Sequence, residues 1–141
     1  IIHVSAFELL KSEVKKDFGE VVFVAPDAGS QKRANIKGAK KTRHNSFDVS
    51  FDHDDDFVKS VSGKVVGVVD DLVETGGTMA KFVDVCKESG AKDVVAVITH
   101  GVLDSGITRV KSAYSKLYLT NSINRPEANV DVSGLIIKAL S

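Results

Sequence analysis

The stretch that decides the fold runs from Val65 to Thr78 and reads VVGVVDDLVETGGT. Its first part, Val65–Val69, is apolar and β-branched except for one glycine, which predicts a buried strand of a parallel sheet. Two carboxylates, Asp70 and Asp71, follow at the carboxyl end of that strand, where open α/β sheets bind their ligands. A short loop then leads to a helix that we predict to begin near Thr78.

The loop after the acid pair is a predicted anion site. Glycines let a ligand approach the backbone closely, and the first turn of the following helix adds unpaired N–H groups and a positive dipole end. This combination suits a phosphate dianion. Because the acid pair repels a phosphate, we expect it to lie apart from that group, accepting hydrogen bonds from sugar hydroxyls or holding Mg²⁺ through water. The residues predicted to bind a sugar phosphate are Asp70, Asp71, Glu74, Thr75, Gly76, Gly77 and Thr78.

Bulk properties narrow the class of protein. The chain has 141 residues and a formal net charge of zero, so we expect a single domain over residues 1–141, with no basic field to attract nucleic acid or a membrane surface. No apolar run approaches the ~20 residues of a membrane span, and no signal peptide is visible. The single cysteine, Cys86, is predicted to be a reduced core thiol, which fits a cytoplasmic protein.

Apolar spacing predicts strands that alternate with helices, hence an α/β fold with a mainly parallel sheet flanked by helices. The acidic run at residues 52–56 could bind a metal, but a solvated loop is the favoured interpretation. Helices are predicted at Val4–Phe18, Thr78–Ser89 and Ser105–Ala113, and strands at Val21–Val24, Phe47–Phe51, Val65–Val69, Val94–Ile98 and Leu117–Leu119; a short strand and a closing helix are predicted within Val132–Leu140.

The chain resembles a known enzyme family at four places. The loop Asp70–Thr78 resembles the ribose-phosphate loop of the type I phosphoribosyltransferase superfamily, whose members share it. Three further segments, in the family's order, resemble the C-terminal half of ribose-phosphate pyrophosphokinases, the phosphoribosyl pyrophosphate (PRPP) synthetases. These segments are PDAG with KRA at residues 26–34, THG at residues 99–101, and TNSI, close to the family's TNTI, at residues 120–123.

The resemblance implies a type I phosphoribosyltransferase-like fold and a transferase of nucleotide biosynthesis. Such a kinase moves a diphosphoryl group from Mg-ATP to the 1-hydroxyl of ribose 5-phosphate, giving PRPP and AMP. By the same resemblance, Asp27 would bind Mg²⁺ beside the reacting ribose. Lys41 and Arg43 would stabilise the transferred group from a mobile catalytic loop. A homo-oligomer is implied, as is an ATP site formed mostly by an N-terminal domain absent from this sequence.

Several alternatives stay open. Asp27 could be a turn residue, and Lys41 and Arg43 could belong to a solvated basic stretch. Because the family's N-terminal half, which supplies much of the ATP site, is absent, this chain alone would not catalyse the full reaction. The segment between Ala34 and Lys41 is shorter than in the family, which leaves the assignment of Lys41 and Arg43 open. His100 has no acid–base partner evident in the sequence and is assigned a supporting role. The protein could instead be a phosphoribosyltransferase that consumes PRPP, a non-catalytic regulatory relative, or a domain that binds phosphate only as an ion.

Overall fold

The computed structural model describes residues 5–26 and 55–140, together with the backbone of residues 40–43 and 49–52. From Val65 onward, strands and helices alternate as the sequence predicts. The helices are α1 (Phe7–Phe18), α2 (Asp55–Val61), α3 (Gly77–Glu88), α4 (Asp104–Ala113) and α5 (Ser133–Leu140). The strands are β1 (Val22–Val24), β2 (Lys40–Arg43), β3 (Val49–Asp52), β4 (Val65–Val73), β5 (Asp93–Gly101) and β6 (Leu117–Leu119).

Four strands form one parallel sheet in the order β1-β4-β5-β6. The register pairs Val24 with Val68, Val69 with Val97 and Ile98 with Leu119. All four carboxyl ends therefore meet at one edge of the sheet, and the predicted α/β class is confirmed. Strands β2 and β3 form a separate antiparallel hairpin.

Helices cover both faces of the sheet. On one face, Val68 and Ile98 pack with Phe82 of α3, and on the other, Val97 packs with Leu10 of α1. Alternation along each strand explains the division, because successive side chains point to opposite faces. Cys86 of α3 is fully buried in the first of these clusters, as predicted, and burial raises the pKa of its thiol to about 12.

Strand β4 is longer than its apolar run predicts. It continues through Asp70 and Asp71 to Val73 because β5 continues beside it to Gly101, so the ladder extends past the point where hydrophobicity ends. The prediction that the acid pair terminates the strand is therefore wrong. The THG motif, predicted to follow a strand, likewise lies within β5.

Three other local predictions change. Asp55 and Asp56 form the first turn of α2 rather than a solvated loop, since carboxylates stabilise the positive end of a helix. The strand predicted at Phe47–Phe51 is observed at Val49–Asp52. The short strand predicted within Val132–Leu140 is not observed, because the Val132 carbonyl accepts hydrogen bonds from Leu135 and Ile136 at the start of α5. The backbone of Lys41 and Arg43 lies on β2 of the hairpin, and the place of this pair on a mobile catalytic loop stays a prediction.

The last helix, α5, contributes no buried residue and exposes Ile136, Ile137 and Leu140. Its eight residues are too few to cross a membrane. Within the described ranges, no other helix has the length and apolarity that such a span requires.

Candidate functional site

An open pocket of about 210 Å³ lies at the carboxyl end of β4, where the chain passes into α3. It contains six of the seven residues that the sequence predicts for a sugar phosphate, and Asp71 is the exception. The lining residues are Asp70, Leu72, Val73, Glu74, Thr75, Gly76, Gly77, Thr78 and Met79. The strand end and the helix start thus converge on one concave surface, as the sequence predicts.

The helix start in this pocket has unused hydrogen-bond donors. Gly76 precedes the first turn in the left-handed region, at φ 75°, and no side chain caps the helix. The Gly77 N–H makes a long 3.4 Å contact with Thr75 Oγ1. Within the described residues, the N–H groups of Gly76 and Thr78 donate no hydrogen bond. Because the first turn of α3 also has no acidic residue, its open donors and positive dipole end suit an anion.

Helix α4 fixes the shape of the β4–α3 loop (Glu74–Gly76) through backbone contact. A Cβ atom added to Gly106 would overlap the Glu74 carbonyl oxygen, and one added to Gly76 would lie 2.7 Å from the Gly106 carbonyl oxygen. Two glycines are therefore required where the loop meets the helix. The sequence identifies Gly76 as part of the anion site but not Gly106, which lies in a later helix.

The acid pair does not enter the pocket together. Adjacent strand residues point to opposite faces, and it is Asp70 that lines the pocket on the face covered by α3 and α4. The buried Tyr114 hydroxyl on this face donates a 2.8 Å hydrogen bond to the Met79 carbonyl. Burial, then the negative charges of Asp70 and Asp84, raise the pKa of Tyr114 well above its ordinary value. Of the acid pair, Asp70 is therefore the residue placed to meet a ligand in this pocket.

The THG and TNSI segments meet at the neighbouring strand ends. His100 Nδ1 lies 2.7 Å from Ser122 Oγ. The hydroxyls of Thr120 and Ser122 both donate to the Thr99 carbonyl, at 2.6 and 3.0 Å. Sequence reasoning missed this partner of His100 because Ser122 becomes a neighbour only through the pairing of β5 with β6. The contact supports the predicted supporting role of His100.

Arg125 is a structural residue whose role no sequence pattern predicts. Its Nε atom donates to the Gly101 carbonyl at 2.5 Å, and the other guanidinium nitrogens contact the Val102 carbonyl and the Asp104 carboxylate. The side chain is only 10% exposed, although its partner Asp104 is 92% exposed. The Arg125 guanidinium thus donates hydrogen bonds to the end of β5, to the β5–α4 loop (Val102–Leu103) and to the first residue of α4.

The remaining predicted residues cannot be placed against the pocket. Asp27 lies outside the described residues, as do residues 35–39, and the side chains of Lys41 and Arg43 are likewise undescribed. Within the described part of the chain, no three His, Cys, Asp or Glu residues converge to form a metal site. The pocket offers Asp70, and Mg²⁺ commonly binds one or two protein carboxylates together with substrate oxygens and water.

The chain is similar to curated ribose-phosphate pyrophosphokinases. It is 34% identical to that of Pyrococcus abyssi over 141 aligned residues, which cover 93% of this chain and 48% of the relative. It is 35% identical to ribose-phosphate pyrophosphokinase 2 of Saccharomyces cerevisiae, over 77% of this chain and 37% of the relative. The chain therefore spans about half the length, or less, of the curated relatives it matches. No protein-family model matches it.

Solved structures give the same fold. Phosphoribosylpyrophosphate synthetase from Mycobacterium smegmatis superposes with a TM-score of 0.71 at 25% identity, over 96% of this chain and 49% of that one. Adenine phosphoribosyltransferase from Rhodothermus marinus superposes with a TM-score of 0.55 at 12% identity, over 81% of this chain and 75% of that one. The second likeness concerns the fold alone.

Proposed function

This chain is a homologue of ribose-phosphate pyrophosphokinases over about half of their length, and we propose that it forms the ribose 5-phosphate site of such an enzyme. It would constitute a single domain, the C-terminal one, over residues 1–141. The intact protein would transfer a diphosphoryl group from Mg-ATP to the 1-hydroxyl of ribose 5-phosphate, giving PRPP and AMP. The uncapped start of α3, open to a pocket beside Asp70, carries this proposal.

The two ends of the pocket match the two ends of the sugar phosphate. Thr75–Thr78 would bind the 5-phosphate with backbone N–H groups and threonine hydroxyls. These groups donate hydrogen bonds and carry no negative charge that would repel the phosphate. Asp70 would accept hydrogen bonds from the ribose hydroxyls, because a carboxylate is repelled by the phosphate. Glu74 is assigned to the ribose side with it, whereas Asp71, which the sequence also predicts there, does not line the pocket. Holding the ribose in this way would direct the 1-hydroxyl for attack on the β-phosphorus of ATP.

The transfer itself needs charge neutralisation. Asp27 would hold Mg²⁺, which would supply positive charge to the phosphates when bound, and Asp70 would lie beside the ribose. Lys41 and Arg43 would stabilise the diphosphoryl group as it moves. Most of the ATP site would come from a second domain. We also propose that the intact protein is a homo-oligomeric, cytoplasmic enzyme.

The decisive assay incubates the intact protein with ribose 5-phosphate and Mg-ATP and detects AMP and PRPP. Both products should form in equal amounts, and ribose should not replace ribose 5-phosphate. A folded intact protein that yields no AMP would contradict the proposal. If it also bound ribose 5-phosphate, the result would favour the non-catalytic regulatory relative.

A phosphoribosyltransferase is the second candidate, because the adenine enzyme shares the fold and this chain covers 75% of it. That activity would consume PRPP and a nucleobase and release diphosphate. Incubation with PRPP and each purine base, followed by diphosphate detection, separates the two candidates. The identity of 12%, against 34% to a pyrophosphokinase, favours the synthetase.

A further inference from the structure

A cation stands beside the proposed phosphate site without being part of the pocket lining. The Arg109 Nη1 atom lies 3.6 Å from the position that a Cβ atom would take on Gly77. The Thr75 hydroxyl oxygen lies 3.7 Å from that same position. The guanidinium and the threonine therefore border the same side of the helix start, which the missing side chain of Gly77 leaves open.

The placement of this arginine follows from the contact that shapes the loop. Gly106 lies against the Glu74 backbone, and Arg109 lies three residues later on the same helical face. Side chains of a helix lean toward its N-terminus, so the Arg109 side chain extends back across Gly106 toward the loop. The close packing of α4 thus brings the guanidinium to α3.

The charges around the pocket indicate what Arg109 can contribute to phosphate binding. Among the described residues that line the pocket there are two acids, Asp70 and Glu74, and no Lys, Arg or His. From these lining residues, the favourable partners of a phosphate dianion would be backbone N–H groups and hydroxyls, without a cationic side chain. Arg109 is exposed and forms no ion pair with a carboxylate in the described residues. Its planar guanidinium can donate two parallel hydrogen bonds to phosphate oxygens.

We infer that Arg109 binds the phosphate at the start of α3, closing the site over Gly77 and selecting phosphorylated ribose over ribose. This inference rests on the proposed function for the identity of the sugar, but its phosphate contact can be tested separately. Arg109 would be a binding residue supplied by the neighbouring βα unit.

The test compares three variants of the intact protein, Arg109→Ala, Arg109→Lys and the control Lys111→Ala, which removes an exposed cation from another face of α4. Ribose 5-phosphate and inorganic phosphate are titrated into each by calorimetry. Arg109→Ala should weaken both ligands about tenfold, as expected for one charge-assisted hydrogen bond, and Arg109→Lys about threefold. Lys111→Ala should bind both as the wild type does.

Several outcomes would overturn the inference. Equal affinities for Arg109→Ala and Lys111→Ala would show that Arg109 does not contact the ligand. A loss for ribose 5-phosphate with no loss for inorganic phosphate would place Arg109 away from the phosphate. If the wild type bound inorganic phosphate but not ribose 5-phosphate, the proposed function would fail, and the phosphate titrations would still decide the role of Arg109. Binding of neither ligand would reject both.

Discussion

Two neighbouring loops at the same sheet edge are built in opposite ways. The β5–α4 loop is satisfied by the protein itself, because Arg125 bonds the Gly101 and Val102 carbonyls and the Val102 N–H donates to the Val73 carbonyl at 2.9 Å. Its helix also begins with a carboxylate, Asp104, which suits the positive end of α4. The β4–α3 loop has open donors and no acid in the following helical turn. The first loop is bonded to other parts of the protein, whereas the open donors of the second loop are those that we propose bind an anion.

The contact between the two βα units should give the largest effect. Gly106→Val would place side-chain atoms on the Glu74 backbone, so α4 and the β4–α3 loop must separate. We expect a loss of about 3 kcal/mol in the free energy of unfolding, measured by urea denaturation, together with weaker binding of ribose 5-phosphate. Gly134→Ala is the control, since a Cβ there meets nothing within 4 Å. If Gly106→Val were as stable as that control, the loop would not depend on α4.

The satisfied loop should respond in stability alone. Arg125→Met leaves two backbone carbonyls without their donors, which should lower the free energy of unfolding by about 2 kcal/mol. The affinity for ribose 5-phosphate should stay within twofold. Asp104→Ala, which removes only the exposed partner of Arg125, should cost less than about 1 kcal/mol. Equal losses for the two variants would mean that the ion pair, rather than the carbonyl contacts, holds this loop.

The open loop should respond in binding alone. Thr75→Ala removes a hydroxyl whose internal contact, to the Gly77 N–H, is long. Affinity for ribose 5-phosphate should fall about tenfold, equivalent to about 1.4 kcal/mol. The free energy of unfolding should change by less than about 0.5 kcal/mol. Thr108→Ala, an exposed threonine of α4, is the control and should change neither quantity. A marked loss of stability in Thr75→Ala would show that the two loops do not differ as described.

Cys86 gives the smallest and most local signal. Because burial raises its thiol pKa to about 12, a thiol reagent at pH 8 should label it only when the structure opens. Ribose 5-phosphate at ten times its dissociation constant should slow this labelling about tenfold, with Cys86→Ala identifying the site. A thiol pKa raised by folding favours the folded state fully below pH 9, and that contribution is lost as pH rises toward 12. Fast labelling at pH 8 would contradict the buried position.

Local sequence signals predict most of the fold and the pocket at the start of α3, but not the contacts between distant segments. Apolar β-branched runs located the sheet strands, and the glycines with threonines at residues 75–78 located the pocket. The extension of β4 through Asp71 could not be predicted, because only pairing with β5 keeps polar residues in a strand. The same limit applies to Arg125 and Ser122, whose partners lie about 20 residues or more away along the chain. Helix α2 was missed because its first-turn acids suggest a solvated loop when they are read without the helix dipole.

The contact of Gly106 with Glu74 also makes the shape of the β4–α3 loop depend on helix α4. Because the Gly106 backbone lies against the Glu74 carbonyl, we expect the loop to take its final shape only when α4 has docked. In refolding experiments, ribose 5-phosphate binding should therefore appear with the last kinetic phase, later than the recovery of helical circular dichroism. The ligand would then report on completion of the fold rather than on its beginning.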